Sequence, residues 1–230
     1  MRKNGSRLIS LKQYRGTDLF IFALILGAAE ILTWLAAKWF PMQAIFTFSL
    51  MIPISLTVMM RWGWPSVFYP VVSGLIVCLL ASASAINYAC YIIGNAFMAL
   101  MLIPTYLIGR DKIRSKWWSS ALFAIGGWLC VYLGKSLVWA VGYSIHPMTG
   151  STMWAGFVGF AGGDLLSLAV ALLVILVFRR LDGMFEDQKT YLERVERQRK
   201  EKMRIDQFGE NLGEIDEEAF NILNKDNDLF

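Results

Sequence analysis

The stretch "CVYLGKSLVWAVG", residues 130–142, poses the question that decides the fold. Its centre, Gly134-Lys135-Ser136, is how a phosphate-binding P-loop ends, yet Lys135 is the only charge between Trp117 and Tyr143. A P-loop needs a glycine five residues before its Gly-Lys-Ser, so that backbone N–H groups can wrap phosphates after a strand. Leu129 stands there instead, and the Trp- and Leu-rich surroundings show no strand followed by an exposed turn. Residues 117–143 therefore read as one apolar helix, and Lys135 as a charge placed inside it.

The rest of the chain carries the same signal. Of its 230 residues 56% are apolar and 14% aromatic, and a mean hydropathy of +0.48 is well above a soluble domain's balance. Runs near the ~20 residues that a bilayer core requires recur over 18–40, 43–60, 66–83, 85–108, 117–143 and 153–178. The expected fold is an all-α integral membrane protein with six transmembrane helices over 18–180. A basic N-terminal stretch over 1–17 precedes them, and the first run, of full span length and without a small-residue cleavage site, is expected to be retained.

Basic residues stay on the cytoplasmic side of short loops. Arg2, Lys3, Arg7, Lys12 and Arg15, then Arg61, then Arg110, Lys112, Arg114 and Lys116, and all those after Phe178 fall on one side of six spans. Only Lys38 and Lys135 of the 22 Lys and Arg do not, so both termini are expected in the cytoplasm. Beyond the last span, 181–207 has Glu and Arg at helical neighbour spacing, as at Glu193 and Arg197, and reads as a cytoplasmic helix. The acidic stretch 208–230 reads either as a solvated tail or as a docking segment through Phe220, Ile222 and Leu223.

Charges inside a bilayer cost about 2.5–3.5 kcal/mol each on insertion scales unless they are paired or face a wet cavity. Glu30, Lys135 and Asp164 are the three, placed in the first, fifth and sixth spans at depths where they can meet. Trp128, Tyr132, Lys135 and Trp139 follow at intervals that set them on one helix stripe. Tyr88, Tyr91 and Asn95 share a face of the fourth span, with Asn87 one turn from Tyr91. A lysine and two asparagines among the aromatics point to a ligand cavity, the competing reading being a buried ion network that fixes helix register. Cys78, Cys90 and Cys130 lie in separate spans without paired spacing, and with His146 as the one histidine no metal or cofactor is expected. His146, Trp154 and the "MTGSTM" turn are expected in the outer loop between the fifth and sixth spans.

Three places carry a family resemblance. "FVGFAGGDLLSLAVALLVILVFRRL", residues 157–181, resembles the last span of the substrate-binding S components of energy-coupling factor (ECF-type) vitamin transporters, where a Gly-Asp pair opens a helix rich in Leu and Ala. "FTFSLMIPISLTVMMRWGWPSVFYPVVSGLI", residues 46–76, is similar to that family's short helix, glycine turn and following helix. Ala23-x-x-x-Gly27 resembles the small-xxx-small pair by which such subunits dock on their partner. Residues 15–182 are covered, and the acidic extension falls outside the pattern.

The resemblance implies a non-enzymatic subunit of a prokaryotic cell membrane that captures a vitamin or related small molecule from outside. It would dock through Ala23 and Gly27 on a membrane coupling (T) subunit carrying two ATPases, with no nucleic-acid partner. Lys135 would then receive an anionic group, Trp128, Tyr132 and Trp139 would stack on a ring, and Asn87, Tyr88, Tyr91 and Asn95 would hydrogen-bond, with Glu30 and Asp164 secondary; Asp164 after Gly162-Gly163 could equally be structural. Two other readings compete. One is a six-helix scaffold resembling the rod-shape-determining membrane protein that recruits cell-wall machinery, which needs no wet face in its spans. The other is a membrane enzyme using Glu30 and Asp164 as an acid–base pair, which lacks a nucleophile with an obvious base.

Overall fold

The structure is a computed structural model describing residues 11–39, 49–145 and 153–203, and among these every regular element is helical. It divides into two units, Met1–Asp187 and Gln188–Phe230. In the first unit the elements are α1 (Leu11–Trp39), α2 (Met51–Trp62), a 3₁₀ turn (Trp64–Val67), α3 (Phe68–Leu80), α4 (Ala85–Leu107), α5 (Arg110–Ser115), α6 (Trp117–Ile145), α7 (Met153–Gly163) and α8 (Leu165–Phe178). The second unit's described part is one helix, α9, over 188–203, with the Arg194 guanidinium over the Tyr191 ring. Basic residues Arg2, Lys3 and Arg7, His146, which the sequence reading sets in an outer loop, and the acidic stretch 208–230 lie outside the described residues.

Three helices, α1, α4 and α6, are long and apolar enough to cross a membrane, and α7 with α8 adds a fourth if the pair forms one bent span. The fold is thus an all-helical protein with apolar helices of membrane-crossing length. Two elements differ from the lengths expected of them. The described part of the second expected span is a 12-residue helix, α2. At 1.5 Å per residue it reaches about 18 Å, short of the ~30 Å bilayer core. The sixth expected span is broken at Asp164, where α7 and α8 meet at 59°.

Helix α2 is the centre of the first unit. Every residue from Met51 to Arg61 is buried, because Met-Ile-Pro-Ile-Ser-Leu-Thr-Val-Met-Met offers no polar face to solvent and packs against α1, α3, α6 and α8. Pro53 sits in the first turn, where its missing N–H costs nothing, and its carbonyl accepts the Thr57 hydroxyl at 2.7 Å. Gly63, at φ 73°, ends the helix by taking a conformation that other residues avoid.

Helix α1 buries Phe22, Leu26 and Glu30, one residue per turn, and turns Phe20, Ile21, Leu24, Ile25, Leu32 and Leu35 outward. Its buried stripe is therefore apolar at one end and acidic at the other. About 18 Å along the helix from Glu30, Asp18 accepts from Arg61 at 2.7 Å and from the Trp62 indole at 2.5 Å. Arg61, itself only 5% exposed, also donates to the Gly183 carbonyl and lies over the Phe22 ring. Nearby basic residues are paired too: Arg110 with Asp187, and Arg114 with Asp182 and Glu186. Residues that the sequence presents only as markers of orientation thus lock α1, α2, α5 and the turn after α8 together.

Candidate functional site

At the Glu30 end of α1 a cavity of about 170 Å³ opens between α1, α2, α3, α4, α6 and the α7–α8 break. Glu30, Thr33, Trp34, Ser49, Ser73, Tyr91, Asn95, Tyr132, Lys135 and Asp164 line it, with Ala37, Met51, Ile52 and Val77 completing the wall.

Lys135 is 3% exposed, and its ammonium lies 4.4 Å from the centre of the Tyr91 ring and 4.8 Å from that of Tyr132. Ring faces attract a cation by their negative quadrupole but leave its three N–H donors without acceptors. Asp164 and Glu30 are the carboxylates whose field it feels, yet among the described residues it makes no ion pair. A buried ammonium beside aromatic faces, with acceptors missing, is suited to an anionic oxygen from outside the chain.

Glu30, also 3% exposed, accepts the Ser49 hydroxyl at 2.5 Å and the Ser73 hydroxyl at 2.9 Å, both on Oε1. Its second oxygen, Oε2, takes no hydrogen bond among the described residues. Asp164 precedes α8, but its side chain does not cap that helix. It accepts from the Tyr132 hydroxyl at 2.5 Å instead, which ties the α7–α8 break to α6. Gly162 and Gly163, poor helix formers, allow the break at this point.

Glycines bring the helices that carry these groups close together. A Cβ on Gly94 would stand 2.6 Å from the Lys135 Cα, and one on Gly134 would stand 2.5 Å from the Gly94 carbonyl oxygen. One on Gly74 would collide with the Tyr91 carbonyl. Such close approach is how membrane helices gain packing contact where burial in lipid offers no hydrophobic drive. Within α4 a π-helical turn, Cys90–Gly94, contains Tyr91, with Asn87 and Tyr88 before it and Asn95 after it. A π-turn widens the helix and shifts the phase of its faces, a distortion frequent at functional sites.

Six residues proposed from sequence therefore come together on the cavity: Lys135, Tyr132, Tyr91, Asn95, Glu30 and Asp164. Asn95 is 1% exposed, its amide nitrogen donating to the Pro70 carbonyl at 3.0 Å and its Oδ1 left without a donor. The other four ring and amide candidates do not line it. Trp128 packs against Tyr132 at 4.8 Å and points its indole N–H at the Asp164 carbonyl over 3.4 Å. Trp139 meets Phe160 edge-on at 5.5 Å. Asn87 and Tyr88 are half-buried before the π-turn, the Asn87 carbonyl accepting from the Cys78 thiol.

Ser49, Ser73, Thr33 and Trp34 were not foreseen. A serine in an apolar helix is unremarkable, since it can bond its own backbone, and only the presence of Glu30 at the same depth could have singled out Ser73. Of the docking pair, Ala23 is exposed in an apolar groove of about 410 Å³ with Phe20, Trp64 and Phe68, whereas Gly27 turns toward Ile76 of α3. Among the described residues no group of three His, Cys, Asp or Glu is placed to hold a metal. Compared with known proteins, the chain matches no family model, no curated protein and no solved structure.

Proposed function

We propose that this chain is the substrate-capture subunit of an ECF-type transporter, a non-enzymatic protein with six membrane segments and both termini in the cytoplasm of a prokaryotic cell. It binds a small ring-containing molecule with an anionic group, a vitamin or a related compound, from outside. A membrane coupling subunit, docked along the Ala23 groove, and two ATPases supply the energy for release inside. Lys135 receives the anionic group, Tyr91 and Tyr132 flank the ring, and Asn95, Ser49 and Ser73 offer hydrogen bonds. One observation carries this reading: the Lys135 ammonium is buried in a cavity, lies on two tyrosine rings and has no acceptor among the described residues.

The test is native mass spectrometry, with extraction of small molecules, on the protein purified in mild detergent. A stoichiometric low-mass ligand is expected in the wild type and absent from Lys135→Ala, with the folded yield preserved. A structural ion network predicts the opposite, a collapse of folded yield. An empty protein that co-purifies with cell-wall machinery would favour the scaffold reading.

A further inference from the structure

Resting on the capture reading above, the ligand's chemistry can be narrowed by asking what both unsatisfied ends of the cavity require. Among the described residues the Lys135 ammonium has no acceptor and Glu30 has one oxygen with no donor, because both serine hydroxyls converge on Oε1. Both side chains are only 3% exposed and line the cavity, so a ligand that fills it displaces whatever water reaches either group. A ligand that met only the lysine would leave the glutamate oxygen desolvated and unpaired.

Charge argues the same way. The cavity is lined by one ammonium and two carboxylates, Glu30 and Asp164. Adding a bare anion would set three negative groups against one positive where screening by water is weak. A molecule carrying its own positive charge adds nothing to that imbalance. Size supplies the third constraint: a cavity of ~150 Å³ accepts one benzene ring, and the cavity here, open on one side, offers about 170 Å³.

We infer that the ligand is a small single-ring zwitterion, its carboxylate or other anionic group on Lys135 and its protonated amine on Glu30, with the ring between Tyr91 and Tyr132. Trp34 bounds the α1 side. Selectivity then comes from the pair of opposite charges and the distance between them, and the ring faces serve as filling.

Isothermal titration calorimetry on the full-length chain in mild detergent tests this with matched probes. The 3- and 4-isomers of aminomethylbenzoate carry both charges, the corresponding methylbenzoates only the anion, and the methylbenzylamines only the cation. For at least one isomer the zwitterion is expected to bind at least roughly tenfold tighter than either singly charged analogue, the scale of a buried charge partner. Glu30→Gln, which keeps the Oε1 acceptor for both serines, should erase the advantage over methylbenzoate, and Lys135→Met the advantage over methylbenzylamine. The wild-type ranking alone decides the matter if either variant fails to fold. A methylbenzoate that binds as tightly as the zwitterion overturns the inference and leaves the capture reading intact. A methylbenzylamine that binds as tightly, unaffected by Lys135→Met, overturns both. No binding by any probe at millimolar concentration also overturns the inference, while the co-purified ligand decides the capture reading separately.

Discussion

The Tyr132 hydroxyl donates to Asp164 while its ring packs against Trp128 and under the Lys135 ammonium. Tyr132→Phe keeps the ring and removes only the donor, taking one hydrogen bond from the Asp164 carboxylate at the α7–α8 break. The expected loss is about 1–3 kcal/mol, the cost of a desolvated acceptor, read as a lower thermal midpoint in detergent with Lys135-dependent ligand retention reduced. An unchanged midpoint would mean that this hydrogen bond does not hold the break. That Lys135, Glu30 and Asp164 belong together was legible in the sequence, since a charge in an apolar run is costly enough to need a purpose. Ser49 and Ser73 were not legible, because a hydroxyl is tolerated at almost any depth and its partner is chosen by the fold.

Gly74, Gly94 and Gly134 set the distances between α3, α4 and α6, and the cavity inherits its shape from them. Gly94→Val would push branched carbons into the Lys135 backbone, where no side chain can swing away. Loss of monodisperse protein is expected by size-exclusion chromatography, while Gly159→Ala, with nothing within 4 Å, should elute as the wild type does. Equal behaviour of the two variants would show that α4 and α6 can part without cost. Helical periodicity placed Tyr91 with Asn95 on one face of the fourth expected span and Tyr132 with Lys135 on one stripe of the fifth, and these four do line the cavity. It failed for Asn87 and Tyr88 because the π-turn at Cys90–Gly94 breaks the 3.6-residue phase. For Trp128 and Trp139 the limit is different: one turn to either side of the cavity their stripe meets Phe157 and Phe160 of α7. Hydropathy likewise could not separate a lipid-facing helix from α2, since a segment wrapped by neighbours is as apolar as one wrapped by lipid.

Two regions at opposite ends of α1 divide the labour: the cavity around Glu30, and the paired charges of Asp18, Arg61 and their neighbours. The second was read from sequence only as a sum of basic residues, because partners as distant as Asp18 and Arg61, or Arg114 and Glu186, meet only after folding. Ala23 lies between the two ends, exposed in its groove, and a partner seated there would not touch the ligand. Ala23→Trp fills the groove without entering the core. Ligand binding by the purified subunit is expected to stay within about twofold, below 0.5 kcal/mol as for a surface change. Uptake of labelled ligand by cells carrying the full transporter should fall to background, and undiminished uptake would remove the groove from the docking surface. The glycine contacts have one more consequence, for anyone wishing to alter what the cavity accepts. Because the walls carrying Lys135 and Tyr91 meet backbone against backbone, they can neither retreat nor be pared down. Room for a bulkier cargo is instead to be made on α1, where the large Trp34 side chain can be trimmed while every charged group keeps its place.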